Sequence, residues 1–174
     1  MSIQGKRVVV LMGTQYHEME LWYPVLSLRE AGAEVRLAGV GEGTRMSKYG
    51  QVSTGEIPVN EIEPDAFDAL VVPGGFPPDS ANSYEDIRRL VREAFEQGKL
   101  IAAICHSGQV LASAGVLRGR RATCGRNVRD GITEAGAIYV DDEVVRDGNL
   151  ITSRTPPNLP AFCRKIIEAL SQAS

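Results

Sequence analysis

Short apolar runs, each ended by a polar or glycine-rich turn and separated by helical patterns, leave this chain few architectures. Arg7–Met12 (RVVVLM) is continuously β-branched and apolar, and Leu100–Ile104 (LIAAI) and Asp68–Val72 (DALVV) are runs of the same kind. Strands that read as unbroken apolar runs rather than alternating ones are covered on both faces, as in parallel sheets. Between the runs lie helical patterns. The first opens at Glu18 or Glu20 and continues to about Ala31, with Leu21, Val25 and Leu28 on one face and Gly32 as its stop. Pro24 in its early turns predicts a kink or a late start. Glu34–Val40 is then the next strand, completing a β-α-β unit. Ser83–Gln97 repeats Ile87, Leu90, Val91, Ala94 and Phe95 at helical spacing, and Gly98 closes it.

The remaining segments are weaker. Residues 41–64 read as a long loop with strand pieces near Thr44–Ser47 and Val52–Ser53. The pattern Ile138–Val140, Asp141-Asp142, Glu143–Arg146 predicts a hairpin, and Asp147-Gly148 a further turn before Leu150–Thr152. A last helix is expected over about Asn158–Ser171. Strands alternating with helices imply a doubly wound α/β sandwich around a mostly parallel sheet. The 174 residues suit one domain over 1–174 with a full core.

Composition narrows the function classes. A net charge of −3 without a basic run argues against nucleic acid as a partner, and no apolar stretch has the length to span a membrane. The start, MSIQGKR, has no signal-peptide pattern, so a cytoplasmic location is expected. Cys105, Cys124 and Cys163 are odd in number and lack metal-ligand spacing, which suits free thiols in a reduced compartment. The residues require neither a metal nor an organic cofactor.

Chemistry concentrates where Leu100–Ile104 meets the helical pattern from Val110 to Ala114. Cys105 stands at the junction, with Ala103 and Ser107 two positions away and Gly108 next. Small neighbours around a sharp strand-to-helix turn are the layout of a nucleophile elbow. The following helix start is expected to lower the thiol pKa and to offer oxyanion donors. Gly13–Glu20, Pro73–Asp79 and Cys105–Ser107 all fall at carboxyl ends of strands, where sites of open α/β sheets lie. Glu20 is then a carboxyl group beside the thiol. If protonated it donates to the sulfur and holds it as thiolate. Glu18 is the competing, more solvated choice. His106 would relay protons. Gly74, Gly75 and the His106 N–H would hold the oxyanion, and Asp79 would orient His106 as in triads. His17 lines the mouth. Cys124 and Cys163 read as inert.

Five pieces in order carry a resemblance: ELWYP from Glu20, Pro73-Gly74-Gly75, Ala103-Ile104-Cys105-His106, SAGVLRGR from Ser113, and DGNLITSR from Asp147. With them the chain resembles the ThiJ/PfpI superfamily, most closely its PfpI branch. The resemblance implies a flavodoxin-like three-layer sandwich with helices on both faces. It implies Glu20, Cys105 and His106 as the reacting set, Gly75 with Gly74 as the oxyanion loop, and Lys48 beside the site. It also implies that Asp79 serves a neighbouring subunit's site in a dimer or ring of dimers. Ser107-Gly108 departs from the family's Cys-His-Gly-Pro, and Gly125 stands where some members carry an aromatic. His17 stands where some members carry an acidic residue, and this change with Gly125 would widen or re-polarise a pocket lined by His17, Lys48 and Ser107.

The expected function is a cysteine-dependent hydrolase or lyase acting on small reactive carbonyls or their protein adducts. Deglycase or glyoxalase chemistry is favoured over peptidase chemistry, because a single thiol on a shallow elbow suits a small aldehyde. The alternative is a non-enzymatic oxidative-stress sensor or chaperone working through Cys105 oxidation. A glutamine amidotransferase would need a histidine downstream of His106, and the chain has none.

Overall fold

The structure is a computed structural model that describes residues 1–39, 44–75 and 81–173. Its elements run β1 Arg7–Met12, α1 Glu18–Glu30, β2 Glu34–Gly39, β3 Thr44–Met46, β4 Val52–Thr54, β5 Ile57–Pro58, β6 Ala69–Val72 and α2 Ala81–Glu96. There follow β7 Leu100–Ile104, α3 Gly108–Ala114, β8 Arg121–Ala122, α4 Arg129–Glu134, β9 Ile138–Tyr139, β10 Val144–Asp147, β11 Leu150–Ser153 and α5 Leu159–Gln172.

Seven strands of the described residues form one sheet in the order β10-β11-β7-β6-β1-β2-β5. All neighbours pair in parallel except the edge pair β10–β11. The apolar runs explain this directly. Val8, Val10 and Met12 of β1 bury on one face with Ala69, Val71, Ala102 and Ile104, under Leu21, Val25 and Leu28 of α1 and Phe162 and Ile166 of α5. Val9 and Leu11 bury on the other with Leu70, Val72, Ile101 and Ala103, under Ile87, Leu90 and Val91 of α2 and Val110 and Leu111 of α3. Successive side chains point to opposite faces, so a run with no polar position needs helices on both. This is the flavodoxin-like three-layer sandwich.

Pro24 sits inside α1 and is buried, so the helix runs through it rather than starting after it. The expected hairpin of Ile138–Val140 with Glu143–Arg146 is not formed. β9 instead pairs in parallel with β8, with Arg121 opposite Ile138. β10 folds back on β11 across Gly148, whose φ of +60° makes the turn. The Asp-Gly turn has the backbone freedom a tight hairpin needs, whereas Asp141-Asp142 does not. Val40, the expected end of the second strand, lies outside the described residues. No helix among the described residues is long and apolar enough to cross a membrane.

Candidate active site

Strand β7 delivers Cys105 into a turn with φ of +61°, a left-handed conformation at a residue that carries a Cβ. Such a position costs about 1–3 kcal/mol and persists only where the surroundings over-determine it. Here they do. The Ser107 hydroxyl donates to the Ile104 carbonyl at 2.6 Å, and the Gly125 N–H donates to the Cys105 carbonyl at 3.2 Å. Gly108 lets the turn pack closely, since a Cβ there would lie 3.0 Å from Ile132 Cγ2 and 3.1 Å from the Cys124 Cβ. The result leaves Cys105 partly exposed, between buried Ile104 and exposed His106.

Glu20 comes from the first turn of α1 and is 1% exposed. One carboxylate oxygen, Oε2, accepts the Gly74 N–H at 2.7 Å. The other, Oε1, is buried without a hydrogen-bond partner, while the carboxyl group interacts with the Cys105 thiol. Burial pushes Glu20 up to about 7, against the pull of the Gly74 N–H and the thiol. Burial, then the Glu20 charge, pushes Cys105 up to about 12, opposed by the His106 N–H and by Lys48. The expected lowering of the thiol pKa by the helix start is thus outweighed by desolvation. The Glu20 contribution reverses once the carboxyl group holds the proton, because it then becomes a donor to sulfur. The two groups face each other, so the proton affinity of each depends on the charge of the other.

His106 is exposed, with Nδ1 3.2 Å from Cys105 Sγ, within reach for proton exchange. The Gly75 N–H has no hydrogen-bond partner among the described residues. A Cβ on Gly75 would lie 2.6 Å from the Gln15 carbonyl oxygen and 2.9 Å from the His17 nitrogen, at φ of +87°, so only glycine fits. The β1–α1 loop closes the other side. The His17 N–H donates to the Gly74 carbonyl at 3.3 Å, and its ring stands edge-on to Tyr49 with centroids 5.5 Å apart. Burial lowers the His17 pKa. The Lys48 ammonium lies 5.6 Å over the Tyr49 ring and exerts its charge on His17, Glu20 and Cys105.

Glu20, Cys105, His106, Gly74, Gly75, His17 and Lys48 are therefore brought together. Three expectations change. Gly74 gives its N–H to Glu20, so it positions the carboxyl group instead of serving an oxyanion. Ser107 is fully buried with its hydroxyl committed to Ile104, so it supports the elbow and does not line the pocket. Glu18 is half-buried and engaged: it accepts the Ser47 hydroxyl and, at 2.9 Å, the Tyr49 N–H, pinning the Lys48 loop to α1. Asp79 lies outside the described residues. In the sequence Gly125 stands out only as a departure from the family pattern. Its backbone clasps the elbow, and a Cβ there would stand 3.4 Å from Cys105 Sγ. Nothing local in the sequence signals that contact across 20 residues.

A parallel sheet with a cysteine on a strained strand-to-helix turn, facing a buried glutamate, defines a class of α/β proteins with a cysteine elbow. The chain belongs to the DJ-1/PfpI family, whose profile matches residues 6–169. It is 41% identical to a deglycase of Pyrococcus abyssi over 164 residues, 94% of this chain and 99% of that one. It is 38% identical to the protein/nucleic acid deglycase 2 of Escherichia coli over 169 residues, covering 95% and 98% of the two chains. Drosophila melanogaster DJ-1beta superposes with a TM-score of 0.83 at 31% identity, over 98% of this chain and 92% of that one. These relatives support an enzyme of the deglycase or hydrolase kind.

Proposed function

We propose that Cys105 is the nucleophile of a deglycase acting on adducts of small dicarbonyls with amines or thiols. The observation that carries this reading is the buried Glu20 carboxyl group set against Cys105 on a strained, partly exposed turn. Sulfur attacks the carbinol carbon of the adduct as its proton passes to Glu20 or to His106 Nδ1. The carbon–amine bond breaks, and the amine leaves with that proton. The resulting hemithioacetal isomerises to a thioester as Glu20 moves a proton between the two carbons. One water then releases the hydroxy acid and restores the thiol. The Gly75 N–H is the donor available to the oxyanion of the hydrolytic step. The high thiol pKa favours base-assisted attack over the sensor alternative, since peroxide reacts with a preformed thiolate.

A second copy of the chain is the expected partner. Helix α1 is apolar on two sides: Leu21, Val25 and Leu28 are buried, while Met19, Tyr23 and Leu26 remain 56%, 40% and 61% exposed. Met46, Tyr49 and Val52 around the β3–β4 hairpin are also exposed, and Glu18 joins that hairpin region to α1. An extended apolar face of this kind marks an association surface.

The test incubates the protein with a methylglyoxal adduct of a model thiol or amine and follows free thiol or amine together with lactate. The wild type should release both, and Cys105→Ala neither. Release that persists in Cys105→Ala would reject the nucleophile.

A further inference from the structure

Beyond the elbow, the carboxyl end of the sheet holds a polar cleft of about 410 Å³. Its lining includes Arg126, Arg129 and Arg154, with Tyr139, Asp141 and Cys124. The Arg129 guanidinium lies 4.4 Å over the Tyr139 ring, which fixes its plane and leaves its edge for ligands. Arg154 is steered by Asp141 at 2.8 Å. Arg126 has no ion-pair partner among the described residues. Within the lining, one carboxylate stands against three guanidiniums, and concave walls focus the field.

The lining of the cleft flanks the elbow in the chain and across the sheet. Cys124 and Arg126 line it, and Gly125 between them is the residue whose missing Cβ leaves room against Cys105 Sγ. Ser153 pairs with Ile104, so Arg154 and Cys105 leave adjacent parallel strands side by side. The volume lies in the range of small-molecule sites, well beyond what a three-carbon dicarbonyl fills.

We infer that this arginine cleft is an anion subsite, which selects carbonyl compounds and adducts bearing a phosphate or carboxylate next to the reacting carbon. Arg126 and Arg129 hold the anionic group, beside the segment whose Gly125 packs on Cys105. The inference rests on Cys105 being the reacting group, but its test does not require turnover.

The experiment compares alkylation of Cys105 by anionic iodoacetate and neutral iodoacetamide at low ionic strength. In both, the sulfur displaces iodide as a C–S bond forms. Peptide mapping separates Cys105 from Cys124 and Cys163. In the Arg126→Gln/Arg129→Gln double variant, the iodoacetate rate relative to iodoacetamide should fall about three- to fivefold, as expected for two positive charges removed from the approach of an anion. The iodoacetamide rate, for a reagent without charge, should change less than the iodoacetate rate. Inorganic phosphate should slow iodoacetate in the wild type and not in the variant. An unchanged ratio, or equal phosphate protection in both proteins, overturns the subsite even where adduct release depends on Cys105. A changed ratio in a protein whose release ignores Cys105 would overturn the deglycase reading alone.

Discussion

Glu20 and Gly74 are fitted to each other: the carboxylate takes the glycine N–H at 2.7 Å, and a Cβ at position 74 would occupy the space of Oε2. The same Cβ would come within 3.1 Å of the Cys105 Cβ and 3.2 Å of the Ile104 carbonyl oxygen. The buried carboxyl group, the elbow and the loop after β6 therefore form one packed unit. Gly74→Ala should displace Glu20 and lower stability by about 1–3 kcal/mol through overpacking. Adduct release should drop at least about tenfold, the equivalent of about 1.4 kcal/mol at the reacting atoms. A crystal structure or a thermal melt with unaltered Glu20 placement and stability would contradict the fit.

Because burial raises Glu20 from 4.5 to about 7, the folded state holds its proton more tightly than the unfolded chain. Its contribution to stability is complete below the unfolded value and is lost as pH rises through the folded one. Between pH 4.5 and 7 the loss is about 3 kcal/mol, from the size of the shift. Glu20→Gln, whose amide oxygen still accepts the Gly74 N–H, should remove this slope and be the more stable protein at pH 8. Denaturant titrations of both proteins at pH 5 and pH 8 read the difference directly, and parallel pH profiles would refute it.

Below pH 7 the protonated Glu20 is a donor to sulfur. Glu20→Leu deletes that donor, so iodoacetamide alkylation of Cys105 at pH 6 should slow about tenfold, the loss of one hydrogen bond to a charged group. Faster alkylation in Glu20→Leu would show that Glu20 acts there as a charge opposing the thiolate.

Ser107 is a support for the elbow. Removing its hydroxyl leaves the Ile104 carbonyl short of a donor, and Ser107→Ala should cost about 1 kcal/mol of stability. KM for adducts should be unchanged, since the side chain is wholly buried. A shift in KM without loss of stability would return Ser107 to the pocket.

The exposed face of α1 is tested by Leu26→Lys and Met19→Lys, both at solvent positions away from the core. Light scattering should find the wild type associated and the double variant monomeric, with little change in monomer secondary structure. A monomeric wild type at micromolar concentration would dispose of the association.

Much of this protein is legible along the chain. Arg7–Met12, Asp68–Val72 and Leu100–Ile104 show no polar alternation, and that alone requires a sheet covered twice. The spacing of Ile87, Leu90, Val91 and Ala94 sets the buried side of α2. The small residues around Cys105 mark the elbow in the chain itself, because a left-handed turn at a cysteine crowds its neighbours.

What sequence could not supply is partner choice between distant segments. Ile138–Tyr139 joins β8 instead of Glu143–Arg146, and Glu18 grips the Lys48 loop instead of water. Local pattern thus determined the elements and the thiol's position. Tertiary packing alone decided the thiol's chemistry, by burying a carboxyl group from α1 against a sulfur 85 residues away in the chain and desolvating both. Proton affinity answers to what surrounds a group in space, and one-dimensional spacing carries no measure of that.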